Sequence, residues 1–157
     1  MGVHLTDLMI WLFGPVDKVF ASTAKRALKF KTGDVVTASL QHSSGLNTQI
    51  TAILKTPLYQ RVTIWGESGW VELVDSSHPD TPGPSFMKMV MNDGTVKEEN
   101  FEWTDTVSAN IHNFIDSIQG QSKYLFTDVE KFQNISVLEA IYKSSLSKQN
   151  EKVESFD

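Results

Sequence analysis

Between Val16 and Trp103 the chain is a succession of short β-rich runs parted by turn signals, and this stretch constrains the fold more than any other feature. The runs are Val16–Ala24, Ala27–Lys31, Val35–His42, Asn47–Lys55, Tyr59–Trp65, Trp70–Val74 and Phe86–Met91, with Thr95–Trp103 as an eighth. Thr32-Gly33-Asp34, Ser43-Ser44-Gly45, Gly66-Glu67-Ser68-Gly69 and Asn92-Asp93-Gly94 separate them, and these residues tolerate positive φ, so most connections read as hairpins. Asp75 to Pro84 holds three prolines without apolar periodicity and reads as a loop. Alternation such as Val36, Ala38 and Leu40 against Val35, Thr37 and Ser39 gives the sheet one apolar face and one of intermediate polarity.

Helices flank the strands. Leu5, Leu8, Met9 and Leu12 follow helical spacing before the Gly14-Pro15 stop, and Ile10, Trp11 and Phe13 make this first helix apolar almost all round, so something has to cover it. After the strands, Val107, Ile111, Phe114, Ile115 and Ile118 form a stripe ending at Gly120, with Thr104 or Asp105 as N-cap. Thr127 and Glu130 form a capping box for a last helix whose buried face is expected to carry Phe132, Ile135, Leu138, Ile141 and Tyr142. Strands and helices segregated in this order give an α+β fold: a large, mostly antiparallel open sheet with helices packed on one face.

Composition narrows the function. The 157 residues are 40% hydrophobic and 21% charged, the usage of an ordinary globular domain, and one domain spanning 1–157 is the expectation. A net charge of −5 with scattered lysines disfavours nucleic acid as a partner. No apolar run is long enough to cross a bilayer, and Leu8 to Phe13 lacks the flanks of a signal peptide, so no membrane partner and a cytoplasmic location are expected. The chain has no cysteine, which removes thiol nucleophiles, disulfides and thiolate metal sites.

The opening GVHLTDLMIWLFG carries the chemistry. His4, Asp7 and Trp11 fall on one helical stripe, within roughly 60° of one another. A histidine can take and return a proton near neutral pH, and a carboxylate one turn away can orient it. The alternative is that the pair only makes hydrogen bonds near a helix N-terminus. His42, His78 and His112 lack ligand spacing, so no metal site is expected. Gly66-Glu67-Ser68-Gly69 is a hairpin and not a nucleophile elbow, and Asn134-Ile135-Ser136 matches a glycosylation pattern by chance. Trp65, Trp70 and Trp103 either stack on a sugar or pack in a core or interface, the latter being the commoner use.

Gly2-Val3-His4, Asp7, Trp11-Leu12 and Gly14, followed by a strand, resemble the start of the C-terminal domain in the glucose–fructose oxidoreductase and inositol dehydrogenase (Gfo/Idh/MocA) family. Val62-Thr63-Ile64-Trp65-Gly66 with Gly69 resembles its hairpin, and Phe114 to Gly120 with the helix from Thr127 through Ser145 resembles its closing helices. The resemblance implies a dihydrodipicolinate-reductase-like C-terminal domain that shapes a sugar or polyol pocket and builds a homo-oligomer through its open sheet face. It implies a parent dependent on NAD or NADP, oxidising a hydroxyl or reducing the ketone by hydride transfer. His4 falls on the histidine that contacts the substrate hydroxyl and assists proton transfer; Asp7 matches the acidic position on the same helix without an assigned role. The family's Glu-Lys-Pro lysine and glycine-rich phosphate turn have no counterpart in these 157 residues, so no cofactor is expected to bind this chain and it is expected to be inactive alone. The competing expectations are a stand-alone, non-catalytic module for dimerisation or small-ligand binding, and an unrelated helix-on-sheet ligand-binding fold.

Overall fold

The computed structural model describes residues 2–29, 33–75, 78 and 81–155. Its elements run α1 (Gly2–Phe13), β1 (Val16–Ala24), β2 (Val35–His42), β3 (Asn47–Ile53), β4 (Gln60–Gly66), β5 (Gly69–Asp75), β6 (Ser85–Met91), β7 (Val96–Phe101), α2 (Thr106–Ile118), α3 (Asp128–Ser147) and β8 (Glu151–Lys152). The strands are antiparallel, as their alternation predicts, and they form two four-stranded sheets, β3-β2-β1-β8 and β4-β5-β6-β7. The segment from β3 to β4 contains Pro57, which has no N–H to give a ladder, and no pairing carries across it. The chain divides accordingly into two compact units, residues 1–55 with 126–157 and residues 56–125.

In the first unit α3 lies on β1 and α1 packs on α3. Val16, Val19 and Ala21 of β1, Ala38 and Leu40 of β2 and Ile50 of β3 are buried, together with Val137 and Ala140 of α3 and Met9 and Ile10 of α1. A bulge between Val16 and Lys18 inserts one residue into the β1 alternation, which lets Val16 and Val19 both turn inward. Register then places Val19, Leu40 and Thr48 in one row across the sheet. The short β8 pairs only with Lys18 and Val19, and beyond its end the Ala21 N–H donates to the Ser144 hydroxyl at 2.8 Å. Ser144 donates in turn to the Gln149 carbonyl at 2.6 Å, so a hydroxyl from α3 completes a backbone ladder.

Two expectations are corrected here. Residues 27–29 of the expected strand Ala27–Lys31 form no strand, and Phe30 and Lys31 lie outside the described residues. The Asp34 carboxylate accepts the N–H groups of Arg26, Ala27 and Leu28 at 2.6, 2.6 and 2.8 Å, so these donors serve a turn instead of a ladder. Those hydrogen bonds, that from Arg26 foremost, hold the Asp34 carboxyl below its ordinary value of 3.8. The capping box of α3 forms as expected, Glu130 N–H donating to the Thr127 hydroxyl and Thr127 N–H to the Glu130 carboxylate. Its buried face is not the expected one, however. Of the expected residues Leu138 and Ile141 are half-buried and Phe132, Ile135 and Tyr142 are exposed, whereas Asn134, Ser136, Val137, Ala140, Ser144 and Ser145 are buried.

The second unit is a four-stranded meander with α2. The hairpin from Gly66 to Gly69 forms as predicted, and only glycine fits at Gly69, where a Cβ would collide with the Val90 carbonyl. Asp105 is the N-cap of α2, accepting the Ser108 N–H at 2.9 Å, and Gly120 follows its end with φ of 73°. No described residue of this unit is buried. The predicted stripe on α2 is real, but Val107, Ile111, Phe114, Ile115 and Ile118 are all exposed. Arg61–Glu72 and Lys88–Glu98 ion pairs decorate one face of the meander, too exposed to add much stability.

Candidate functional site

α1 exists as a helix because apolar positions recur at helical spacing and because Gly14, at φ of 80°, ends it while its N–H returns to the Ile10 carbonyl at 2.8 Å. Twelve residues are marginal for an isolated helix in water, so docking holds it. Met9 and Ile10 bury its C-terminal half, and Thr6 is buried in its N-terminal half. The opposite stripe faces outward. His4 is exposed, Asp7 half-buried and Trp11 75% exposed, so the three candidate side chains share a solvent-facing line along one helix. No hydrogen bond or ion pair joins His4 to Asp7 among the described residues, and His4 is open to solvent.

Polar contacts anchor α1 at both ends. Near its start, Asn134 of α3 donates through Nδ2 to the Val3 carbonyl at 3.2 Å and accepts the Thr6 hydroxyl on Oδ1 at 2.5 Å. Just past its end, the ring of His42, 1% exposed, lies edge-on to Phe13 with centroids 5.9 Å apart. Nδ1 sits 2.8 Å from the Gly14 carbonyl, which can only accept, so Nδ1 carries the hydrogen; in the neutral ring Nε2 then accepts from Thr48 at 3.0 Å. Sequence reading missed all three roles. His42 stood out only as an isolated histidine, and Asn134 only as part of a glycosylation pattern that its burial explains away. A detectable signal existed in both cases: a polar residue at a position where the strand or helix period demands a buried one.

The other singled-out residues lie elsewhere. His78 and His112 are exposed in the second unit, His112 donating through Nδ1 to the Ser108 carbonyl of its own helix. Among the described residues no group of three His, Asp or Glu side chains is arranged to hold a metal ion. Trp65 and Trp70 face each other across the β4–β5 hairpin; Trp65 is 76% exposed, which is not the environment of a core residue, while Trp70 and Trp103 are half-buried. The outer face of the first sheet carries Phe20, Ser22, Thr37, Ser39, Gln49 and Thr51 around an open depression of about 240 Å³. The chain's residues do not fit a dinucleotide: both sheets are antiparallel, with no βαβ crossover among the described residues and no glycine-rich turn leading into a helix.

Comparison with known proteins agrees with this architecture. Aldose–aldose oxidoreductase from Caulobacter crescentus, solved with glycerol, superposes with a TM-score of 0.79 at 17% identity, covering 96% of this chain and 45% of that one. The WlbA dehydrogenase from Bordetella pertussis, in complex with NADH and UDP-GlcNAcA, gives 0.72 at 24% identity, covering 98% and 45%. An oxidoreductase from Agrobacterium radiobacter, in complex with NAD+, L-tartaric acid and magnesium, gives 0.76 at 17% identity, covering 98% and 48%. This chain therefore spans about half the length of each of these proteins, and at such identities the likeness is one of fold. No curated protein sequence matches it. The model of the oxidoreductase family's C-terminal alpha/beta domain matches residues 1–154, nearly the whole chain, and the chain belongs to that family.

Proposed function

We propose that residues 1–157 act as the substrate-binding and oligomerisation half of an NAD(P)-dependent oxidoreductase acting on a sugar or polyol, and that a separate dinucleotide-binding domain completes the site. The observation that carries this reading is the stripe of α1: within a family of oxidoreductase C-terminal domains, His4 stands exposed on a helix anchored at both ends. In this role His4 contacts the substrate hydroxyl and takes up or returns its proton, while the dinucleotide is held by other residues than these. The complexes of the Bordetella and Agrobacterium proteins with NADH or NAD+ and small polar molecules support the reading for parents of this architecture. The outer face of the first sheet, neutral and built of hydroxyl, amide and aromatic side chains, is the surface through which copies associate. Light scattering on the purified chain is expected to give a mass about twice 17.6 kDa; a strict monomer at high concentration counts against that interface.

The second reading, a stand-alone module that binds or assembles without catalysis, separates from the first by the size of the cellular protein. An antibody raised against this chain is expected to detect a gene product of more than about twice 17.6 kDa. In that protein His4→Ala is expected to lower kcat/KM by about 10²–10⁴, the usual worth of a positioned acid/base. A product of 17.6 kDa supports the module instead.

A further inference from the structure

We propose that Asn134 is a positioning residue for His4, fixing the rotation of the helical turn on which the histidine stands; the proposal rests on the reading of His4 given above. The amide of Asn134 meets α1 with both of its ends, Nδ2 donating to the Val3 carbonyl and Oδ1 accepting from Thr6. Val3 immediately precedes His4 and Thr6 lies two residues beyond it, so the two contacts bracket the histidine along the backbone. The Thr6 hydroxyl also lies 3.2 Å from the Gly2 carbonyl and 3.1 Å from the Val3 carbonyl; the Val3 carbonyl can only accept, so it takes the Asn134 Nδ2 hydrogen and leaves Oδ1 to accept from Thr6. The carbonyl thus fixes the amide orientation, with Nδ2 toward Val3.

At the start of α1 the apolar packing is partial, with Leu5 only half-buried, and the fully buried groups there are polar. The buried apolar side chains of the helix, Met9 and Ile10, belong to its second half, whereas Thr6 is 1% exposed and its buried partner Asn134 8%. Hydrophobic contact is non-directional and lets a short helix roll. A two-point hydrogen bond to one carbonyl and one hydroxyl permits a single rotation and suppresses fraying of a first turn whose own amides lack helical partners. With that rotation set, the side of the turn opposite Thr6 is presented outward, and His4 is on it. Leucine at 134 would fill similar space without either contact, and aspartate would oppose a carboxylate to the Val3 carbonyl.

The test uses this chain and reads the turn itself, so its result is independent of whether His4 serves a substrate, which the kinetics of His4→Ala decide. Amide hydrogen exchange and the His4 ring resonances are followed by NMR in Thr6→Val, Asn134→Leu and Thr6→Ser. In the first two, the backbone amides at position 6 and at Asp7 and Leu8 are expected to exchange about tenfold faster, the factor matching the net worth of one hydrogen bond. The His4 signals are expected to move toward those of an unstructured histidine, while amides of Val19, Leu40 and Val137 keep their wild-type rates. Thr6→Ser keeps the hydroxyl and is expected to behave as wild type. Unchanged His4 signals in Thr6→Val and Asn134→Leu, or equal acceleration in every element of the first unit, would overturn the proposal.

Discussion

Leu40→Ala is expected to destabilise the first unit by about 3 kcal/mol, within the range for truncating a fully buried leucine. Leu40 is 0% exposed and occupies the middle of β2, between Val19 on β1 and Thr48 on β3. Its neighbours cannot collapse readily into the space. Val19 is held in register on both sides, by β2 and by β8, and α3 already sits close to the sheet over Ala140 and Ser144. The removed methyl groups therefore leave a cavity, and the cavity adds to the lost transfer energy. Leu46→Ala, at a leucine that is 42% exposed in the β2–β3 turn, provides the control and is expected to change stability by less than about 0.5 kcal/mol. Urea denaturation followed by circular dichroism measures both, and equal effects of the two would contradict the assignment of the core.

His42→Leu is expected to cost a similar amount, about 3 kcal/mol, for a different reason. The change keeps an apolar side chain in the core but strands the Gly14 carbonyl and the Thr48 hydroxyl, each of which loses its ring-nitrogen partner. A buried polar group left without a partner costs roughly 1–3 kcal/mol, whereas removing both members of a pair together is nearly neutral. The double variant His42→Leu with Thr48→Val is accordingly expected to recover part of the loss, by relieving the hydroxyl while the carbonyl stays unpaired. Thermal denaturation of the four proteins in the cycle reads the coupling, and strict additivity would show that the two groups do not interact. Because Gly14 terminates α1, the same substitution loosens the end of the helix that carries the candidate site.

Much of this architecture was legible in the sequence because it depends on local chemistry. The capping box at Thr127 and Glu130, the stop at Gly14 and the hairpin at Gly66 to Gly69 each need particular residues at fixed spacing, and each forms where those residues stand. What was not legible depends on contacts distant in the chain. Asp34 gathers three N–H groups from residues six to eight positions earlier and so dissolves a strand that propensity favours at Ala27 to Leu28. On α3 the apolar stripe through Phe132, Ile135 and Tyr142 suggested the inward face, yet these are exposed while small side chains are buried, and the buried Ser144 and Ser145 are satisfied by carbonyls. Hydrophobic period alone cannot see that compensation. Likewise His4, Asp7 and Trp11 were identified by helical spacing, but the anchors that orient their helix, Asn134 and His42, stand 130 and 38 residues from His4, and although each is a polar residue at a buried position of its period, the partner it serves is visible only in three dimensions.

The apolar surface left open on the second unit belongs to the same account. The stripe on α2 and Trp65 are exposed, and exposed apolar patches commonly mark contact with another protein surface. Under the function proposed above, a dinucleotide-binding domain or a second copy of the chain would cover it.

Calorimetric titration of the purified chain with NADH, and then with NADPH, tests the central claim most directly. The account predicts heats of dilution only, with no saturable binding of either dinucleotide, because neither antiparallel sheet offers the glycine-rich turn and helix N-terminus that cradle a pyrophosphate. Saturable binding with micromolar affinity would contradict it, and would mean that this half of the architecture holds its own cofactor.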